Sequence, residues 1–120
     1  MDKTFLLIGS AAGFLAVMRG AFGAHGLRAR LTPEMMAVFE TGVRYHMYHA
    51  LAILAVGLII PTMGGWLIRT AGWAFAAGIV LFSGSLYALA LTGVTTLGMI
   101  TPLGGLAFLI GWAFLVFAAF

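Results

Sequence analysis

Four apolar stretches, each long enough to cross a lipid bilayer as a helix, set what this chain can become. A hydrocarbon core of about 30 Å takes about 20 helical residues at roughly 1.5 Å each. The stretches 4–23, 42–60, 70–91 and 102–120 reach that length and fill most of the 120 residues, which leaves room for one domain over 1–120. Hydrophobic residues make up 63% of the chain and charged residues 8%, with a mean hydropathy of +1.15. Soluble domains run at about 45–50% apolar and about 25% charged. A soluble fold of this composition could not cover its own surface with polar groups. The predicted fold class is all-α: a four-helix transmembrane bundle with a short amphipathic helix between helices one and two.

Glycine and proline mark the expected ends. Gly23 and Gly26 interrupt the first stretch, Pro61 with Gly64 and Gly65 ends the second, and Gly93 and Gly98 loosen the chain after the third. Thr101 followed by Pro102 reads as an N-cap with proline at the first helical position. Thr32 and Pro33 repeat that signal, with Glu34 in the first turn where the helix dipole favours an anion. From there Met35, Val38, Phe39, Gly42, His46, His49 and Ile53 share one face. The segment 32–41 is therefore predicted as an amphipathic helix running into the second membrane helix. The apolar run from Phe5 to Met18 resembles a signal peptide in length. Arg19 follows it without a small-x-small cleavage site, so it is expected to stay as a helix.

Six basic residues against three acids give a formal charge of +3. They form no basic patch interleaved with aromatics, so nucleic acid is not an expected partner. Their distribution fits membrane topology better. Arg28 and Arg30 lie in the first connection, bracketed by Arg19 and Arg44, whereas the other side has Lys3, offset by Asp2, and Arg69. The positive-inside rule then puts the first connection in the cytoplasm and both termini on the extracytoplasmic side of a bacterial inner membrane. The chain has no cysteine, which removes disulfide frameworks, thiolate metal sites and cysteine-linked lipid anchors.

Polar residues are unevenly placed along the membrane normal. Alternating helix direction puts Arg19, His46, His49, Ser83, Ser85 and Tyr87 roughly 6 to 12 Å below one face, with His25, Glu40 and Arg44 at its mouth. These nine residues form a candidate polar pocket, because ionisable groups at membrane depth face a bundle interior or a water-filled cavity, unless they snorkel to the interface. Acceptors for Arg19 would be Glu40, a carbonyl near Gly23, Ser83 or the Tyr87 hydroxyl. His46 and His49, three residues apart, could aim at one point, with His25 or Glu40 as a third ligand. Their HxxH pattern lacks the general base of the HExxH metalloprotease motif, and haem would need a second facing histidine, which only His25 offers. No metal, haem or other cofactor is expected.

Two further patterns concern packing. Ala12, Ala16, Gly20 and Ala24 make a ridge of small residues on the first helix, and Gly84 with Ala88 a shorter one on the third. Such ridges let helices approach closely, either inside the monomer or across a homo-oligomer face. Trp66, Trp73, Trp112 and Tyr45 read as an interfacial aromatic belt.

Four segments together resemble the YgdD/YwdK-like inner-membrane family: Gly20 to Leu27 (GAFGAHGL), Tyr45 to Leu51 (YHMYHAL), Phe82 to Tyr87 (FSGSLY), and Ile100 to Gly105 (ITPLGG) with Gly111-Trp112. The resemblance covers nearly the whole chain. It implies a four-helix inner-membrane protein of unknown function, with relatives in animal mitochondria, and it implies no activity. His25 and His49 match the family pattern, in which glutamine often stands at the position of His46.

Function is read from the residues alone as non-enzymatic: a structural or accessory membrane component, acting with membrane lipids and as a homo-oligomer or part of a larger membrane complex. The alternative is binding or transport of a small molecule or lipid through the polar pocket in one membrane half. Against proton-coupled transport, no Asp or Glu lies at mid-membrane. A third reading is an enzyme acting on a lipid or quinone with His49 as base. The topology makes a direct prediction: a reporter fused after Phe120 reads out on the extracytoplasmic side, and cytoplasmic activity would invert the orientation.

Overall fold

The computed structural model describes residues 2–120. The described residues form helices and no strands. Helix α1 spans Thr4–Leu27, α2 Pro33–Met63 and α3 Trp66–Thr92; a 3₁₀ segment, Thr95–Met99, leads into α4, Thr101–Ala119. All four spans are long and apolar enough to cross a membrane. The 31 residues of α2 reach about 46 Å at the α-helical rise, close to the molecule's longest extent of 47 Å.

Several expected boundaries are corrected. Gly23 and Gly26 do not end α1, which widens into a π-helical stretch at Met18–Gly23 and continues to Leu27. The segment 32–41 runs into the second span as expected, and the two form one continuous helix, α2. Thr32 caps it by accepting the Met35 N–H at 3.1 Å, Pro33 sits at the first helical position, and no helix breaker follows before Gly42. Pro61 lies inside the last turn of α2, and the chain leaves the helix only at Gly64. Thr101 does not act as the α4 cap: the cap position is Ile100, and the Thr101 hydroxyl is taken by another partner. At the end of α3, Gly93 adopts φ +73° and donates its N–H to the Leu89 carbonyl at 2.8 Å, a left-handed stop that favours glycine.

The helices α2 and α3 form the central pair, with α1 along α2 and α4 along α3. Phe5, Ile53, Val56, Ile68, Ala71 and Phe75 make the buried core. Lipid is as apolar as leucine, so helix association in a membrane rests on close van der Waals contact and hydrogen bonds. Here contact is made by seating aromatic rings on glycines of the facing helix. Phe5 of α1 covers Gly72 of α3, Phe108 of α4 covers Gly78 of α3, Phe75 of α3 covers Gly111 of α4, and Tyr87 of α3 covers Gly42 of α2. The small-residue ridge of α1 faces inward as well. Ala16 is buried, Gly20 lies against Val43 and Gly23 against Phe39, so this part of the ridge packs on α2 within the chain.

Charges bracket the apolar band. Asp2 accepts from Arg69 at 2.5 Å and from the Thr4 N–H at 2.9 Å. Those bonds, the Arg69 one first, hold the Asp2 carboxyl well below the usual carboxylate range. From Lys3 to Arg19 the helix rises about 24 Å, which places Arg19 near the opposite boundary of the hydrocarbon.

Glycine seating makes stability position-specific. A methyl group on Gly104 would run into the backbone of Phe82, whereas one on Gly84 meets nothing within 4 Å. Gly104→Ala should therefore lose about 1–3 kcal/mol to overpacking, and Gly84→Ala should be neutral or slightly stabilising. Thermal unfolding in detergent measures both; equal effects would contradict close seating of Gly104 on the Phe82 backbone.

Candidate functional site

The nine polar residues singled out from the sequence do not converge on one pocket. Four of them, His46, His49, Ser83 and Ser85, are buried. Their hydrogen bonds tie helix to helix. Ser83 donates to the Gly42 carbonyl at 2.7 Å, joining α3 to α2. Ser85 gives its proton to the Phe82 carbonyl at 2.8 Å, so at the 2.6 Å contact with Thr101 the threonine hydroxyl donates and α4 is joined to α3. Among the described residues no buried side-chain nitrogen or oxygen lacks a partner.

The two histidines diverge. His46 Nδ1 meets the Tyr87 hydroxyl at 2.8 Å, toward α3. His49 turns to α4: its Nδ1 lies 2.8 Å from the Tyr45 carbonyl, Trp112 Nε1 donates to its Nε2 at 3.1 Å, and its ring stacks on Phe108 with centroids 3.5 Å apart. A carbonyl only accepts and an indole N–H only donates. His49 is therefore the neutral Nδ1–H tautomer with its one lone pair occupied. That arrangement leaves His49 no free nitrogen for a metal or for base catalysis. The anticipated convergence of His46 and His49 on one point is corrected accordingly, and among the described residues no three His, Cys, Asp or Glu side chains cluster for a metal ion.

At the mouth, His25 is exposed on the last turn of α1, and Glu40 pairs with Arg44 at 3.8 Å on the exposed surface of α2. Arg19 thus does not meet Glu40. Its Nη1 makes a long 3.4 Å contact with the Leu15 carbonyl of its own helix, and its Cζ sits 5.3 Å from the centre of the Tyr87 ring, within the reach of about 6 Å for a cation–π contact. Of the nine, Arg19, His46 and Tyr87 come together, with Ser83 just below and His49 and Ser85 on the other side of α3. The candidate set omits Thr101, Phe108 and Trp112, of which Thr101 reads from sequence as a cap. Trp112 was assigned to the aromatic belt, yet it lies in mid-helix holding His49; its spacing of seven from Gly105 and four from Phe108 on one face of α4 was the available signal.

Arg19, His46 and Tyr87 form the polar end of a groove of about 440 Å³ between α1 and α3, floored by α2. Its walls are Ile8, Ala12 and Leu15 on one side and Ala76, Val80 and Gly84 on the other. Such a volume falls in the range of about 300–1,000 Å³ usual for ligand sites. At its far end α1 closes onto α3, where Phe5 covers Gly72 and packs edge-on against Trp73 at 5.1 Å. Both walls carry a π-helical turn, Met18–Gly23 around Arg19 and Ile79–Ser83 opposite. Such turns occur frequently at functional sites.

Four apolar spans, held by interhelical hydrogen bonds and carrying an arginine beside an intramembrane groove, define a small multi-pass membrane protein. The chain belongs to the family described as protein of unknown function (DUF423), which matches residues 19–105. It is 50% identical over 118 residues to the UPF0382 membrane protein YwdK of Bacillus subtilis, covering 98% of this chain and 96% of that one. Similar UPF0382 membrane proteins occur in Staphylococcus epidermidis, 49% identical over 97% of this chain and 94% of the relative, and in Staphylococcus aureus, 46% identical over 98% and 96%. No solved structure matches the chain.

The hydrogen-bond map predicts which residues couple. Tyr87→Phe strands a polar nitrogen of buried His46 and should destabilise the protein by about 1–3 kcal/mol. Arg19→Lys loses the guanidinium over the Tyr87 ring and should lower stability less. Because Glu40 pairs with Arg44, Glu40→Gln and Arg19→Lys should add within about 0.3–0.5 kcal/mol. Thermal unfolding of the single and double variants is the check, and strong non-additivity would mean that Arg19 and Glu40 meet after all.

Proposed function

We propose that this protein is a non-enzymatic accessory component of the bacterial inner membrane that works by holding a membrane-resident amphiphile in the groove between α1 and α3. The observation that carries this reading is the contrast between the polar groups. His46, His49, Ser83 and Ser85 are satisfied within the bundle and act as helix ties, whereas the half-buried Arg19 stands at the head of an apolar groove with no carboxylate partner among the described residues. A cation above an apolar slot suits a molecule with a polar head and a hydrocarbon body.

Binding is favoured over passage by the closed end at Phe5 and Gly72, since a conduit would need both ends open. The favoured orientation has the α1–α2 connection in the cytoplasm. Four arginines stand at that end, against Lys3 and an Arg69 neutralised by Asp2 at the other.

Native mass spectrometry of the protein released from its own membrane tests the reading. The expected spectrum shows one adduct of lipid size per chain, lost in Gly84→Leu, which fills the groove where a new side chain meets no neighbour. A wild-type chain free of adduct, or an adduct that survives Gly84→Leu, would refute groove binding; a stoichiometric protein partner in its place would favour a purely structural role in a larger complex.

A further inference from the structure

Resting on that reading of the groove, we propose that its occupant is a phospholipid with an anionic headgroup, drawn from the leaflet on the side of the α1–α2 connection. Three observations select this class. The first is reach: from Ile8 to Arg19 the wall of α1 rises about 16 Å, and half of a hydrocarbon core of about 30 Å is one leaflet. The groove begins at the charged boundary, runs one acyl chain deep and stops at Phe5. A molecule entering from the opposite leaflet would meet the closed end first.

The second is charge. Above Arg19 a second hollow, of about 490 Å³, continues past Phe22, Gly26 and Leu27 to Arg30, with Arg19 and Tyr87 lining both spaces. Two guanidinium groups therefore flank the place where a headgroup would lie, and no carboxylate lines either hollow. Guanidinium presents a planar fork of N–H donors that matches a phosphate, and its bonds to an anion are about twice as strong as neutral ones. A zwitterionic head would bring its own cation against these two. The third is backbone shape. The π-helical turn at Met18–Gly23 holds Arg19, and the one at Ile79–Ser83 holds Ile79 and Val80 of the facing wall, so both π-helical turns among the described residues border this groove.

Lipid and free phosphate share the same head chemistry, but only a lipid uses the apolar slot. The experiment places the full chain in nanodiscs of phosphatidylglycerol and phosphatidylcholine with identical acyl chains in equal amounts, then counts the lipids retained on release by native mass spectrometry. Wild type should retain phosphatidylglycerol about tenfold over phosphatidylcholine, the factor that one hydrogen bond to a charged group supplies. Excess inorganic phosphate should leave that ratio unchanged; displacement of the lipid by phosphate would overturn the proposal. Arg19→Gln should bring the ratio close to one while a lipid remains bound. Arg30→Gln, at an exposed position outside the core, should lower it several-fold without affecting the fold. Equal retention of the two lipids by wild type, or an unchanged ratio in both variants, overturns the headgroup assignment but leaves groove binding standing. Wild type that retains neither lipid refutes the groove reading itself, and this assignment with it.

Discussion

Aromatic rings seated on glycines hold this molecule together, and the rest of the structure depends on that fit. In water the apolar faces of four helices would be driven together; in lipid they gain little by leaving one apolar medium for another. What remains is contact dispersion, small for each atom pair and large in sum only where surfaces meet closely. A glycine removes the Cβ from one helix, and a Phe or Tyr ring from the next fills the notch. Phe5 on Gly72 ties α1 to α3, the reciprocal pair Phe75 on Gly111 and Phe108 on Gly78 ties α3 to α4, and Tyr87 on Gly42 ties α3 to α2. Two of these contacts also define the site. Phe5 closes the lower end of the groove, and Tyr87, fixed over Gly42, presents its ring to Arg19 and its hydroxyl to His46.

Hydrogen bonds add direction to this packing. Ser83 to Gly42, Thr101 to Ser85 and Trp112 to His49 each join different helices, from the end of the bundle near Arg19 to its middle. A buried polar group without a partner costs about 1–3 kcal/mol, so these bonds fix helix rotation more than they add stability. Arg19 is the exception in this set, because its charge is met by a ring face and a distant carbonyl. The unpaired cation and the slot beneath it are two parts of one feature.

The four spans were legible because hydropathy and length are properties of each segment alone. The Thr32 cap was legible for the same reason: its partner, the Met35 N–H, lies three residues away. Helix ends at Gly23 and Gly26 were misread because glycine weakens a helix without forbidding it, and packing of Gly23 against Phe39 carries α1 onward. The polar half was legible as a depth, but not as a set of contacts. Whether His46 and His49 converge depends on the rotation of α2 against two neighbours, which the ring–glycine contacts and the interhelical hydrogen bonds set together. Thr101 reads as a cap and Trp112 as a belt residue, and Phe108 carries no signal, because their roles appear only when α4 is laid against α3. The small-residue ridge signalled close approach correctly and left open which helix approaches.

The groove beneath Arg19 is the feature on which the proposed role depends. A cryo-electron-microscopy structure of the full chain in phosphatidylglycerol nanodiscs addresses it most directly, with α1 and α3 resolved well enough to place Arg19 and Gly84. The expected map has one elongated density between Ile8 and Arg19, ending in a compact head beside the Arg19 and Arg30 guanidinium groups. A map in which α1 closes onto α3 along its whole length, leaving no space beneath Arg19, would contradict it.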